Sequence, residues 1–226
     1  MFNPLICRSK FITRQPLWSR IRYISTLPDN PYIYVFSSPN VYTLSFLPTD
    51  PPTQALSIGF TTQTPPVPSS FNENPAFLPI VHEVLAKHAA SDPDLQGQAA
   101  AFASNSTSSS NFRGLSFPQR TKSRRRLEES ETLANRGGWI HVNDLRAPPD
   151  YGRIAWPEDI FGSMEVDGDG NFVPGVNESS PIGNYQPCGT YRIVTSNGII
   201  KLSDFLRLKL IERLTELERE HADPMQ

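Results

Sequence analysis

Apolar and polar positions alternate in three early runs, YIYVF (32–36), VYTLSFL (41–47) and ALSIGFT (55–61). Each mixes aromatic and β-branched residues with small ones. Breaks of Ser-Pro-Asn and Thr-Asp-Pro-Pro separate them, which predicts short antiparallel strands joined by turns. The proline-rich TPPVPSS (64–70) predicts a stiff, extended connector. After it the apolar period lengthens to 3.6. Asn74-Pro75 offers an N-cap and a first-turn proline. Phe77, Leu78, Ile80, Val81, Val84 and Leu85 then share one face, and Asp92-Pro93 closes the segment. A second, shorter helix is predicted from Leu95 to Phe102, weakened by Gly97.

Pattern fades over ASNSTSSSN (103–111), a low-complexity stretch read as a mobile loop. It returns at Gly137. GGWIHVND (137–144) predicts a strand, and LRAPPDYGRIAWPEDIFGS an ordered loop that either covers the core or presents a recognition surface. Asn197-Gly198, set between β-branched runs in TYRIVTSNGIIKLS, predicts a hairpin turning on those two residues. Ser203 is placed to cap a last helix. Leu206, Leu210, Ile211, Leu214 and Leu217 form its apolar stripe, for core docking or for a partner.

The elements add up to an α+β fold: an antiparallel sheet, two main helices at about 75–90 and 204–221, and a disordered internal loop. Residues 25–102 (meander plus helix) and 136–226 (hairpins plus helix) are expected to form one domain, interrupted by a flexible insert at 103–135.

Charge changes the picture at the N-terminus. Residues 1–25 carry five basic side chains and no acid, interleaved with bulky apolar residues, and the first acid is Asp29. This is the composition of a mitochondrial transit peptide over 1–24. Arg22, Tyr23 and Ile24 read as its processing site, with a cut after Tyr23 and removal of Ile24 leaving Ser25 at the start. No run approaches the length of a membrane-spanning helix. Cleavage would leave sixteen basic against 23 acidic side chains. An acidic protein is a poor candidate for nucleic-acid binding over its whole surface. The exception is local. Arg113, Arg120, Lys122, Arg124, Arg125 and Arg126 stand together with no acid among them, a possible contact for RNA or an acidic partner.

Candidate chemistry is sparse. In EVDGDGNFVPGVNE (165–178), Asp167, Asp169, Asn171 and Glu178 have the spacing of a calcium loop. Phe172 occupies the place that needs glycine, Pro174 follows, and no helix pair flanks it, so a hairpin is predicted instead. Cys188, His141 and Asp144 have the residue types of a nucleophilic set but no local signature. His82 and His88 are six apart, so they point to different faces and form no ligand pair. His88 reads as a hydrogen-bonded core residue. Neither a phosphate-binding loop nor a metal-binding spacing occurs, so no catalytic, cofactor-binding or metal residue is assigned and no cofactor is expected.

RYIS, LPDNPYIYVFSSPN, GWIHVNDLRAPPDYGRIAWPEDIFGSMEVDGDG and YRIVTSNGII resemble parts of a group of uncharacterised fungal mitochondrial proteins. The resemblance spans most of the chain after the leader, except 103–126. It implies a mitochondrial location and carries over no functional residue. Together these readings lead to an expected non-catalytic matrix protein, an interaction or assembly factor with a protein partner in a mitochondrial complex. Two alternatives stand beside it: contact with RNA or the mitochondrial ribosome through 113–126, and a small enzyme built on Cys188 and His141.

Overall fold

The computed structural model describes residues 24–111, 137–150, 153–175 and 183–222. The α+β class is as expected: antiparallel sheets and, among the described residues, three α-helices. The meander is longer than the sequence suggested. Strands β1 (Ile24–Thr26), β2 (Tyr34–Ser37), β3 (Tyr42–Ser45), β4 (Gly59–Thr61) and β5 (Phe71–Glu73) form one sheet in chain order. ALSIGFT is a strand only in its second half. Gln54–Leu56 is a 3-10 turn that buries Leu56, and the Ser57 hydroxyl donates to Gln54 O at 2.7 Å. The connector 64–70 does not stay extended to its end. Ser70 N and Phe71 N both donate to Val67 O, and this turn delivers β5 antiparallel to β4.

The first helix, α1 (Phe77–His88), begins two residues later than Asn74-Pro75 predicts. Asn74 is already committed elsewhere. Its amide nitrogen donates to the carbonyls of Gln54, Ala55 and Ser57 at 2.7–3.0 Å, while Oδ1 accepts Ala76 N. The residue ties off the 3-10 turn. Asp92-Pro93 does close the first helical segment, and it also opens the second. Asp92 O accepts Gln96 N at 2.9 Å and Pro93 is the first residue of α2 (Pro93–Asn111). This helix runs well beyond Phe102 into the stretch read as a mobile loop. Ala99, Ala100, Ala101 and Ala103 are strong helix formers, and Ser104 Oγ bonds back to Ala100 O at 2.9 Å.

The second half builds a three-stranded sheet in the order β6-β7-β8, with β6 (Gly138–Asn143), β7 (Ile160–Val166) and β8 (Tyr185–Pro187). Gly162 leaves room in β7 for the Tyr185 ring and Gln186 O, both of which an added Cβ would strike. The late hairpin, β9 (Val194–Thr195) and β10 (Gly198–Ile199), turns one residue earlier than predicted. Ser196 and Asn197 form the turn, while Gly198, at φ +118°, pairs with Thr195. Ser203 caps α3 (Asp204–Ala222) as expected: its Oγ accepts Leu206 N at 3.2 Å. Leu206, Leu210 and Leu214 are buried, so the stripe of this helix is used for core docking.

One hydrophobic cluster runs through both halves, from Leu27, Ile33 and Leu44 to Ile193, Ile200 and Leu214. Polar ties follow the same path. Asn30 Nδ2 donates to Ile200 O at 3.0 Å, and Thr49 Oγ1 to Glu218 at 2.9 Å. The core and these ties join the described parts of both halves. Among the described residues no helix is long and apolar enough to cross a membrane.

Candidate interaction surface

The loop after β6 starts from a buried charge network. A break in register between Val142 and Asn143 bends the strand and aims Asp144 inward. Asp144 Oδ1 accepts Arg146 N and Lys201 N, both at 3.0 Å, and Oδ2 accepts the Tyr191 hydroxyl at 2.9 Å. The Arg146 side chain, 3% exposed, fills the same space. Its Nε donates to Asp159 Oδ1 at 2.7 Å and lies 3.4 Å from Asp144 Oδ2. One terminal nitrogen donates to Ile193 O and Gly198 O, the other to Glu158 O and Arg192 O. All five donors of the guanidinium are thereby used. Asp159 also receives Thr195 Oγ1 and Asn197 Nδ2.

Burial raises the Asp144 carboxyl to about 6, against the opposing pull of Arg146 and of its hydrogen-bond donors. Burial and the neighbouring carboxylate push the Tyr191 phenol upward. The guanidinium donors of the network are all turned on other parts of the chain. It fastens 144–146, 157–159 and 191–201 together, and the described loop residues 153–156 lead straight into the second of these anchors.

That loop is both cover and display. Its extended backbone alternates at 154–156: Ala155 is buried at 7%, while Ile154 and Trp156 stand out at 73% and 76%. They are the most exposed large apolar side chains of the described residues. Trp139, 42% exposed, lines a cleft together with Ile154. Between this loop, β6 and α2 runs a cleft of about 500 Å³, lined by Leu95, Phe102, Trp139, His141, Asn143 and Ile154 among others. Asn143 Oδ1 is buried there without a hydrogen-bond partner. The two helix starts meet beside it, where Ser203 Oγ donates to Asp92 Oδ2 at 3.0 Å. Burial raises the Asp92 carboxyl, opposed by that bond.

The structure does not assemble the nucleophilic set. The Cys188 sulfur lies 3.1 Å from Thr190 Oγ1 and 3.7 Å from Pro157 O. His141 Nδ1 is 2.9 Å from Ser163 Oγ, across the β6-β7 pair, and Asp144 is spent on Arg146 and Tyr191. Cys188 does not line the cleft that holds His141. Nor is His88 a hydrogen-bonded core residue: it is half-buried at the α1–α3 seam with Lys209 and Glu212. His82 makes the closer contact. The Tyr185 hydroxyl donates to Phe161 O at 3.1 Å, so it accepts its other bond from His82 Nδ1–H at 2.9 Å.

Asp167 turns a hairpin, as the sequence indicated. Its Oδ1 accepts the amides of Asp169 and Asn171, Oδ2 accepts Asn171 Nδ2, and Gly170 takes φ +82°. Val166 and Phe172 bridge across the turn. The Asn171 amide and side chain hold the Asp167 carboxyl below its ordinary value. Among the described residues no three His, Cys, Asp or Glu side chains gather to hold a metal.

Arg120, Lys122, Arg124, Arg125 and Arg126 lie outside the described residues, as do Glu178, Arg22 and Tyr23. Ile24 is the first residue of β1 and is exposed. Its removal would shorten an edge strand to Ser25 and Thr26. The signal that sequence reasoning did not use was the alternation Ile154-Ala155-Trp156, hidden among prolines and charges. No protein-family model matches the chain, and neither does a curated protein or a solved structure.

Proposed function

We propose that this protein is a non-catalytic interaction or assembly factor of the mitochondrial matrix, and that it meets its partner with the ridge formed by Ile154 and Trp156. One observation carries the reading. Two large apolar side chains are held three-quarters exposed on a loop that a saturated ion network fixes from below. Rigid, exposed aromatic anchors are the groups that dominate binding energy at protein interfaces. Keeping them out of a core that had room for Ala155 is costly unless something covers them. The acid-free N-terminal segment and the Arg22-Tyr23-Ile24 sequence support the matrix location.

Native gradient separation of mitochondrial extract tests it. The full chain is expected to migrate with a larger assembly. The double variant Ile154→Ser, Trp156→Ser is expected to run as a free monomer with an unchanged melting temperature, because both positions are exposed. A wild-type chain that runs as a free monomer would overturn the reading.

A further inference from the structure

The ridge borders an open strand edge. In the β6-β7-β8 sheet, β7 is central, so β6 and β8 are the edges. The sheet edges differ in how they are blunted. β8 has three residues and ends in Pro187, and the outer strands of the meander, β1 and β5, have three residues each. β6 has six, Gly-Trp-Ile-His-Val-Asn, with no proline and no charged side chain. Natural sheets rarely leave such an edge unprotected.

The direction of its backbone groups follows from its neighbour. Glu165 N donates to Asn184 O and Cys188 N to Phe161 O, so the odd residues of β7 face β8. Alternate residues of an antiparallel strand bond to opposite sides. Gly162, Met164 and Val166 therefore bond to Val142, Ile140 and Gly138, their partners in register. Trp139 and His141 direct N–H and C=O away from β7. Among the described residues neither has a backbone partner on that side. The 500 Å³ cleft is lined by every residue from Trp139 to Asn143, those of the core face and those of the outer face alike. A cleft with that lining lies along the strand edge. The bare Asn143 Oδ1 is buried at its end.

We infer that β6 is a strand-addition site, into which an extended segment of the partner protein inserts and pairs with Trp139 and His141. Main-chain hydrogen bonds supply the affinity in this mode, and pockets for alternate side chains supply the choice of partner. The lining defines the occupant. Alternate side chains of the segment are apolar, to meet Trp139, Leu145, Pro148 and Ile154. A basic residue accompanies them, because Asp94 and Asp150 face a single guanidinium, Arg153. This inference rests on the partner-binding reading above and specifies its mode.

Proline at His141 removes the outward N–H and no bond to β7. His141→Pro is compared with His141→Ala, which loses the Ser163 contact but keeps the N–H. His141→Pro is expected to lose co-migration with the assembly on the native gradient, and His141→Ala to keep it. Amide exchange supplies a reading that does not depend on the variant folding. The Trp139 and His141 amides are expected to exchange freely in the isolated full chain, and at least about tenfold more slowly in the gradient-purified assembly. Slow exchange at both amides in the isolated chain would mean that the chain covers its own edge, and overturns the inference. So does co-migration of a folded His141→Pro at the wild-type level. If that variant co-migrates while Ile154→Ser, Trp156→Ser does not, the ridge reading stands and strand addition fails. If both co-migrate, neither survives.

Discussion

Arg146 shows how much one side chain can decide. It sits between two buried carboxylates and four backbone carbonyls, contributed by three separate segments. Arg146→Ala would leave Asp144 and Asp159 without their cation and four backbone carbonyls without their donor. A loss of about 3–5 kcal/mol is expected, since breaking a buried pair strands the remaining charge. Urea unfolding would measure it, and a loss under about 1 kcal/mol would contradict the network described here. His82 gives a residue-scale pH dependence. Burial lowers its pKa from 6.5, so below that pH the unfolded chain takes up a proton more readily than the folded one. Its contribution is present above pH 6.5 and is lost as the pH falls. The melting-temperature advantage of wild type over His82→Gln is expected to shrink between about pH 7.5 and pH 5.5. Asp144 works in the opposite direction: with its pKa raised from 3.8 to about 6, the penalty for its charge is relieved as the pH falls through about 6 towards 3.8. Neither contact was visible in the chain order. His82 meets Tyr185 and Asp144 meets Tyr191 across separations no local pattern encodes.

Among the elements, α2 departs furthest from its expected form. Gly97 weakens it only through propensity, because its position is exposed and open with no heavy atom within 4 Å of an added Cβ. Gly97→Ala is expected to stabilise the protein by about 0.5–1 kcal/mol, read as a higher urea midpoint. The start of α2 and the start of α3 share one buried hydrogen bond, Ser203 to Asp92. Ser203→Ala removes both a cap and that bond. It is expected to cost at least about 1 kcal/mol, more than a cap at an exposed helix end. The acidic turn at Asp167 belongs at this scale too. Its oxygens are engaged by the amides of its own turn, so millimolar calcium is expected to leave the melting temperature unchanged.

For the whole molecule the question is which surface the fold leaves for a partner. The terminal helix was one candidate, and its stripe is buried against the core. The stretch 145–160 was another, and it carries the exposed Ile154 and Trp156. Replacing Arg124, Arg125 and Arg126 by Ser separates this from the basic segment: association through the ridge survives the change, and association through charge is lost and was salt-sensitive beforehand. Local chemistry by itself determined a good deal. The strand and helix types, the Ser203 cap, the Asp167 hairpin and the α+β class follow from period, turn residues and caps, each of which acts within a few positions. Boundaries shifted where a residue had a distant obligation, as Asn74 did to the 3-10 turn and β5 to its partner β4. The use of each apolar face was decided by the tertiary structure alone. A stripe such as Leu206-Leu210-Leu214 and a pair such as Ile154-Trp156 look equally hydrophobic in sequence. Burial depends on which other segments arrive, and here the Arg146 network holds Ile154 and Trp156 out while the core takes the leucines in.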